Sequence, residues 1–276
     1  MRTVTLVENS AFREGCVAEH GLCIYIETEK HRILADTGQT DALVKNAALL
    51  GVDIASVDTV VLSHGHYDHS GGILPFSELN KTAHIYMQKK AAEPHFNMDR
   101  YIGIDERIPA LPNVVNVEGS LRIDDELYLF SGIRGRRCFP EGNRKLKMLS
   151  GGFAGEKVCD DFSHEQCLAV ESGGRRLLVS GCAHNGILNI LDRYKEIFGC
   201  LPDAVMTGFH MMKRDGEHTL DEIEVIKQTA NELSGMPTVF YSGHCTGQPA
   251  FDMMKEIMGD KLIALGTGKE IVIRAY

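Results

Sequence analysis

Residues 60–72, VVLSHGHYDHSGG, place three histidines and an aspartate in one short loop directly after an apolar run. A loop cannot bury several imidazole groups at low cost unless something binds them. Neutral imidazole and carboxylate groups are ligands that suit ions such as zinc, iron and manganese. The stretch therefore predicts a strand that ends in a metal-binding loop, with the ligands His64, His66, Asp68 and His69.

Further ligands are expected elsewhere in the chain, because four ligands rarely complete a catalytic metal centre. Four other histidines also lie where a predicted strand meets a loop, the position from which mixed α/β layers present functional side chains. These are His164, His184, His210 and His244. The remaining histidines lie inside strands or in polar stretches, and we interpret them as structural or solvated: His20, His31, His84, His95 and His218.

The composition is that of an ordinary soluble globular protein, with 276 residues of which 43% are hydrophobic and 24% are charged. The formal net charge of −9 argues against nucleic acid or an anionic membrane as a partner. No apolar stretch approaches the roughly 18 residues that span a bilayer, and the first residues lack the apolar core of a signal peptide. We therefore expect a cytoplasmic protein that acts on a small molecule.

The eight cysteines include no CxxC pair. In a chain of this length without signs of secretion, reduced thiols are expected rather than a disulfide framework. Two of the cysteines, Cys182 and Cys245, lie close in sequence to His184 and His244. Thiols are therefore expected near the predicted metal ligands.

Strand-like and helix-like segments alternate along most of the chain. The apolar spacing of residues 40–53, TDALVKNAALLGVD, and 186–199, GILNILDRYKEIFG, is typical of helices that end at glycine. Residues 165–181, EQCLAVESGGRRLLVSG, are typical of two strands joined by a tight hairpin turn. Residues 90–160 are the least regular, and we expect long loops there with one strand pair near LRIDDELYLFSGI. The simplest organisation is one domain, residues 1–276, in which the irregular segment resembles an insertion.

The pattern His-x-His-x-Asp-His after an apolar strand, preceded by LADTG with Asp36 and followed by Gly71 and Gly72, resembles the signature of the metallo-β-lactamase superfamily. Further segments, among them DDFSHEQCLAV, SGCAHNGILNIL, GFHM and SGHCTG, resemble the branch that includes the archaeal 7,8-dihydropterin-6-methyl-4-(β-D-ribofuranosyl)-aminobenzene-5'-phosphate synthases. The resemblance runs along nearly the whole chain and is weakest over residues 90–155. It implies an α/β fold, a four-layer αββα sandwich with mixed sheets, that holds metal ions at one edge between the two sheets.

The resemblance also implies ligands for two divalent ions, with zinc as the first expectation and iron, manganese or magnesium as alternatives. The first site takes His64, His66 and His164, and the second takes Asp68, His69 and His244. An aspartate usually bridges the two ions, but Cys182 stands at that position here and His184 follows two residues later. The branch carries Gly-Cys-Ala-His at this place, which favours His184 as a ligand and leaves the Cys182 thiolate as the alternative.

Such a centre implies a hydrolase that attacks an ester, phosphoester or related bond through a metal-bound hydroxide, with Asp68 as ligand and orienting group. His210 is a second catalytic candidate, as a substrate contact or proton donor, and a plain surface histidine is the competing interpretation. Basic and amide groups of the irregular segment could hold an anionic substrate such as a phosphorylated one: Arg134, Arg136, Arg137, Asn143 and Lys145. Two other functions remain open, a transferase of the synthase type and a metal-binding module without catalysis.

Overall fold

The computed structural model describes residues 1–150, 155–213 and 216–274, and its strands build two seven-stranded sheets and one small sheet. In chain order the strands are β1 (Arg2–Val7), β2 (Cys23–Glu27), β3 (Arg32–Ala35), β4 (Thr59–Val61), β5 (His84–Gln88), β6 (His95–Asn97), β7 (Arg100–Tyr101), β8 (Val114–Val117), β9 (Leu121–Arg122), β10 (Leu127–Phe130), β11 (Leu146–Leu149), β12 (Lys157–Cys159), β13 (Cys167–Ser172), β14 (Arg175–Val179), β15 (Ala204–Thr207), β16 (Val239–Ser242), β17 (Leu262–Ala264) and β18 (Glu270–Val272). The α-helices are α1 (Ala42–Leu50), α2 (Tyr67–Ser70), α3 (Ile73–Leu79), α4 (Ile187–Phe198), α5 (Leu220–Ser234) and α6 (Gln248–Met258).

The two large sheets share one plan. The first has the order β18-β1-β2-β3-β4-β5-β8, antiparallel from β18 to β3 and parallel from β3 to β8. The second has the order β17-β16-β15-β14-β13-β10-β9, parallel from β17 to β14 and antiparallel from β14 to β9. Each sheet thus has parallel strands whose carboxyl ends share an edge, and such edges carry the ligand-binding loops of α/β proteins.

An apolar core fills the space between the two large sheets, because alternate side chains of each strand point to that face. Ile24, Ile33 and Val61 of the first sheet share this core with Leu129 and Leu177 of the second. The helices α1 and α3 cover the outer face of the first sheet, and α4, α5 and α6 cover that of the second. The resulting layers confirm the mixed αββα fold that the family resemblance implies.

A small third sheet, in the order β12-β11-β6-β7, occupies part of the segment for which the sequence predicts long loops. Its strands have two to four residues, too few to show the alternation by which a strand is recognised. The expectation of long loops is therefore wrong here, whereas the strand pair near 121–133 is confirmed as β9 and β10. Ile102, Leu146 and Phe162 form a local core next to this sheet, and Tyr67 of the histidine loop packs on it. The single-domain organisation stays a prediction.

Two predicted turns have the backbone conformation that their glycines suggest. Gly173 and Gly174, between β13 and β14, both have positive φ angles, 58° and 70°, as a tight hairpin of the type I′ class requires. Gly199 ends α4 in the left-handed conformation with a φ of 71°.

The longest of the described α-helices, α5, has 15 residues. No helix in the described ranges is long and apolar enough to cross a lipid bilayer.

Candidate metal centre

The strand β4 delivers the predicted histidine loop to the edge between the two large sheets, and the one-turn helix α2 follows at once. His64, His66 and His69 are all at most 4% exposed. The glycines of this loop are needed for close approach rather than for unusual torsions, because a Cβ on Gly71 would collide with the carbonyl oxygen of Gln39. The loop is therefore packed too tightly to carry side chains at its glycine positions.

Three buried imidazoles, those of His64, His66 and His184, converge in a first group. Their ligand atoms lie within 4.8 Å of one another, and the Nε2 atom of each ring is buried without a hydrogen-bond partner. A buried nitrogen without a partner is costly, and one metal ion coordinated by all three would satisfy them together. The residues present therefore fit a divalent ion at this place.

Hydrogen bonds at Nδ1 determine which ring nitrogen of His64 and His184 carries the proton and which has a free lone pair. His64 Nδ1 lies 2.8 Å from the hydroxyl oxygen of Ser63, which donates its own proton to Asp36 at 2.8 Å and so accepts from the ring. Asn143 Oδ1 accepts from His184 Nδ1 at 3.0 Å, while the Asn143 amide group donates to the carbonyl of His184 at 2.7 Å. Both rings carry their proton on Nδ1 and turn a bare Nε2 towards the centre, as metal-binding histidines do.

The protonation of this first group suits metal binding. Burial lowers the pKa of His64, His66 and His184 well below the usual range, and neighbouring imidazoles lower it further. All three rings are therefore neutral at pH 7, the form that binds metals. Glu165, whose pKa burial raises to about 7, accepts the backbone N–H of His184 at 2.6 Å and holds that loop in place.

A second group lies beside the first and adds a carboxylate. Asp68 Oδ2 lies 3.2 Å from His20 Nε2, 3.5 Å from His244 Nε2 and 3.9 Å from His69 Nε2. Burial raises the pKa of Asp68, but the imidazoles of His69, His20 and His244 outweigh burial and hold the pKa well below its usual range. The carboxylate is therefore ionised and supplies the negative charge that a second cation needs.

The Nε2 atoms of His69 and His244 point at each other. His69 Nδ1 donates to Asp36 at 2.7 Å, and His244 Nδ1 donates to Asn9 Oδ1 at 2.9 Å. The two Nε2 atoms are 3.1 Å apart, so their lone pairs need a cation between them, either a proton or a metal ion. Burial lowers the pKa of His69, but the carboxylates of Asp36 and Asp68 outweigh burial and raise the pKa to about 9. The two Nε2 atoms and the nearby Asp68 carboxylate fit a divalent ion that takes the place of the proton between the rings.

Cys182 lies beside both groups. Its Sγ is 3.2 Å from His69 Nε2. It belongs to one group with His64 and His69 and to another with His210 and Cys245. Burial raises the pKa of Cys182 well above its usual range, and the neighbouring Cys245 raises it further. The structure thus brings both Cys182 and His184 to the centre, but to different groups of ligands.

His164, the expected third ligand of the first site, lies in a different group with His66, His95 and Asp160. Its Nδ1 accepts the backbone N–H of Gly65 at 2.9 Å, so its proton is on Nε2. That Nε2 lies 3.4 Å from Asp160 Oδ1, a charge contact rather than a well-formed hydrogen bond, and the other oxygen of Asp160 lies 2.8 Å from His95 Nδ1. Neither nitrogen of His164 is bare towards His64 and His184.

His20 and His95, which we interpret from the sequence as structural or solvated, both lie at the centre. The His20 ring stacks on His244 with 4.9 Å between ring centroids, and His95 is only 1% exposed. Neither follows an apolar run, so the signal that identifies the other histidines is missing at these two positions.

Several loops at this edge are strained. The non-glycine residues Asp36, Ala183, His210 and His244 all have positive φ angles, between 48° and 58°. Such conformations cost on the order of 1 kcal/mol each and concentrate at functional sites. Two of these residues, His210 and His244, also belong to candidate ligand groups, so part of the strain lies at the centre itself.

A cavity of about 580 Å³ opens over the two groups, and His66, Asp68, His184 and His210 are among the residues that line it. His210 follows β15, and its ring centroid lies 4.2 Å from that of His184. The centre therefore opens to a space large enough for a small molecule.

The basic residues of the cavity are not those that the sequence suggests. Lys145 lines it as predicted, together with Arg100 and Lys213. Among the described residues none of the predicted arginines 134, 136 and 137 does so, and the last of them pairs with Glu232 and Asp192 instead. Asn143 also has another role, since it orients the His184 ring.

Known proteins share both sequence and fold with this chain. The family model of the metallo-β-lactamase superfamily matches residues 17–137. The 7,8-dihydropterin-6-methyl-4-(β-D-ribofuranosyl)-aminobenzene-5'-phosphate synthase of Methanocaldococcus jannaschii is 28% identical over 98% of this chain and 96% of its own length. The crystal structure of a metal-dependent hydrolase of the β-lactamase superfamily superposes with a TM-score of 0.83 at 30% identity and covers 100% of both chains. Zn²⁺-bound PqqB of Methylobacterium extorquens shares the fold, with a TM-score of 0.54 at 12% identity over 99% of this chain and 100% of that one.

The αββα layers and the histidine-rich edge between the sheets define a class of protein built to hold metal ions. This chain belongs to the metallo-β-lactamase superfamily.

Proposed function

We propose that this protein is a metal-dependent hydrolase that binds two divalent ions, zinc first among them, and cleaves an ester, phosphoester or related bond of a small anionic molecule. The observation that carries the proposal is the set of bare, buried Nε2 atoms of His64, His66 and His184 close to the ionised carboxylate of Asp68. In this proposal His184 takes the place expected for His164 in the first site. Asp68, His69 and His244 hold the second ion.

When bound, such ions polarise a substrate oxygen and lower the pKa of an attacking water. The chain's own residues orient the attacking water and transfer protons. Asp68 lines the cavity, so its carboxylate can accept a hydrogen bond from the attacking water and fix its orientation. His210 lines the same cavity and can contact the substrate or donate a proton to the leaving group through Nε2.

The cavity walls support an anionic substrate with an apolar part. Arg100 and Lys145 line the cavity, and no carboxylate among the described residues forms an ion pair with either of them. Met98, Ile102 and Val225 add apolar surface to the same cavity. A substrate that places a phosphate or carboxylate near Arg100 and Lys145, and joins it to a flat or aliphatic body, matches this lining.

A transferase of the synthase type is the second candidate. Its support is the similarity over nearly the full length to the synthase of Methanocaldococcus jannaschii. Both reactions need a Lewis acid and a pocket for an anion, and they differ in whether water or a second substrate attacks.

The test is a substrate screen with protein that has been stripped by a chelator and reloaded with Zn²⁺. The panel contains phosphodiesters, lactones, thioesters, and a pterin pyrophosphate with and without an aromatic amine. We expect hydrolysis that disappears on stripping and returns on reloading. Turnover only in the presence of the amine would favour the transferase, whereas metal binding without any turnover would indicate a binding module. Absence of bound metal after reconstitution would contradict the proposal itself.

A further inference from the structure

Three neighbouring parallel strands of the second sheet are β14, β15 and β16. Each is followed, at the same distance in sequence from its end, by a side chain that can bind soft or borderline metal ions. Cys182, His210 and Cys245 are each the third residue after the end of their strand. Since the strands are paired side by side and in parallel, equal offsets bring these side chains together at one edge. Their ligand atoms lie within 4.8 Å of one another.

The packing around this group is specific. Cys182 and Cys245 are 3% and 4% exposed, and neither forms a disulfide. The backbone N–H of His210 donates to Cys245 Sγ at 3.3 Å, which fixes that thiol against the loop after β15. A Cβ on Gly208 would collide with Cys245 Sγ, so only glycine leaves room for the thiol.

The imidazole of His210 adds an independent sign of a ligand. Its Nδ1 atom is buried and has no hydrogen-bond partner. The backbone of His210 is held at a φ of 49°, a conformation that a histidine adopts at a cost. All three side chains also line the cavity, so a fourth position of such a site would face the substrate space.

We propose that Cys182, Cys245 and His210 form a third metal site, separate from the two sites of the proposed hydrolase centre and selective for a soft, thiophilic ion. Two thiolates and one imidazole prefer ions such as Cd²⁺, Zn²⁺ or Cu⁺ over Mg²⁺ or Mn²⁺. Three protein ligands with an open fourth position are the arrangement of reactive rather than structural zinc sites. Cys182 Sγ also lies 3.2 Å from His69 Nε2, so its thiolate can connect this site with the second histidine site.

The experiment is a Cd²⁺ titration of the reduced, metal-free protein under anaerobic conditions. Bound cadmium is counted by elemental analysis, and thiolate ligation is followed by its ligand-to-metal charge-transfer absorption in the ultraviolet. The variant is Cys245→Ser, because Cys245 belongs to neither histidine site. The matched control is Cys167→Ser, which changes another fully buried cysteine, on β13.

We expect the wild-type protein and Cys167→Ser to bind one cadmium equivalent more than Cys245→Ser and to show a thiolate absorption that Cys245→Ser reduces by half or more. Equal cadmium counts and equal absorption in all three proteins would overturn the proposal. If circular dichroism shows that Cys245→Ser does not fold, His210→Ala serves instead, and it should weaken the thiolate-linked binding at least about 10-fold.

The two proposals fail in different ways. If the third site does not exist, cadmium still binds at the histidine sites, and any thiolate absorption comes from Cys182 there and is unchanged in Cys245→Ser. If the hydrolase centre does not exist, the thiolate absorption remains while the equivalents that depend on His64 and His66 are missing.

Discussion

Single hydrogen bonds decide which imidazoles of this centre can ligate. His184 gives its Nδ1 proton to Asn143, so its Nε2 is bare. His164 uses Nδ1 to accept a backbone N–H and therefore carries its proton on Nε2. His164, which precedes a strand, and His184, which follows one, thus have opposite tautomers, and the partner of each ring determines its chemistry.

The variants His184→Ala and His164→Ala test this difference. We expect His184→Ala to lose about one zinc equivalent and most activity, because a ligand of the first site is missing. We expect His164→Ala to retain its zinc count, since neither of its nitrogens faces the first site bare. Elemental analysis after dialysis against a fixed free Zn²⁺ concentration measures both, with His84→Ala, an exposed histidine on β5, as the control. The reverse pattern would show that His164 is the ligand.

The variant Asp68→Asn removes the negative charge of the side chain and keeps its shape. The amide has the size of the carboxylate but cannot hold a cation or orient a water in the same way. We expect kcat to fall at least about 100-fold, the usual effect of removing one positioned acid–base group, and excess metal to restore little of it. Turnover is measured across a Zn²⁺ titration with the substrate found in the screen. Full rescue by zinc would limit Asp68 to the role of ligand, and unchanged turnover would place the reacting centre elsewhere.

The sequence predicts the ligands that lie in one motif after one strand, and it cannot predict those that tertiary packing brings in. His64, His66, Asp68 and His69 share a loop, so their common purpose is visible in the order of residues. His20 arrives from the loop between β1 and β2, 3.2 Å from Asp68, and nothing in its local sequence marks it. Contacts between distant segments depend on the packed fold, which local patterns do not contain.

At the scale of elements, the longer helices are the easiest to predict from the sequence. The helices α1 and α4 have apolar spacing and a glycine in the left-handed conformation at the end, so both could be predicted. The strands of the small third sheet are too short for any periodicity, yet they supply Asn97 and Arg100 to the lining of the cavity. Short strands depend on their neighbours for stability, and their sequences carry little information of their own.

The histidine loop tolerates little change in volume, and Gly71→Ala tests this. The added methyl group would meet the backbone of Gln39, which cannot move without shifting the loop. We expect a loss of about 2 kcal/mol in the free energy of unfolding, as for overpacked cores, together with weaker metal binding. The matched control is Gly235→Ala after α5, where the nearest atom lies 3.6 Å from the added Cβ and φ is −77°. Urea denaturation of both variants measures the difference, and equal stabilities would contradict the packing argument.

At the scale of the whole molecule, the two large sheets are joined at both ends of their parallel strands. The candidate metal centre lies at the carboxyl ends. At the opposite end, His31 connects Asp58, which precedes β4, with Asp124, which lies between β9 and β10 of the second sheet. The two carboxylates are 2.8 and 2.6 Å from the ring nitrogens. This contact links the sheets without any metal.

The His31 link should depend on pH in a defined direction. Burial lowers the pKa of His31, but hydrogen bonds to Asp124 and Asp58 outweigh burial and raise the pKa above the ordinary histidine value of 6.5. A raised pKa means that the folded state holds the proton more tightly, so the stabilisation is fully present below about pH 6.5 and is lost as pH rises through the folded-state pKa.

We therefore expect His31→Ala to lower the free energy of unfolding by about 1 kcal/mol more at pH 5.5 than at pH 9. Denaturation of the wild type, His31→Ala and His84→Ala at both pH values provides the comparison, because the exposed His84 corrects for the pH response of the rest of the protein. A larger effect of His31→Ala at pH 9 would show that the ring is neutral in the fold.

The pairing of β1 with β18 has a consequence for the protein during its synthesis. Arg2 pairs with Val272, so the outer edge of β1 stays uncovered during synthesis until β18 has also been made. Five of the six residues of β1 are buried in the folded protein, and an uncovered apolar strand edge is a template for aggregation. Nascent chains therefore carry an unpaired strand edge from the synthesis of β1 until that of β18, and slow elongation or premature termination in this interval would leave the edge exposed to other chains.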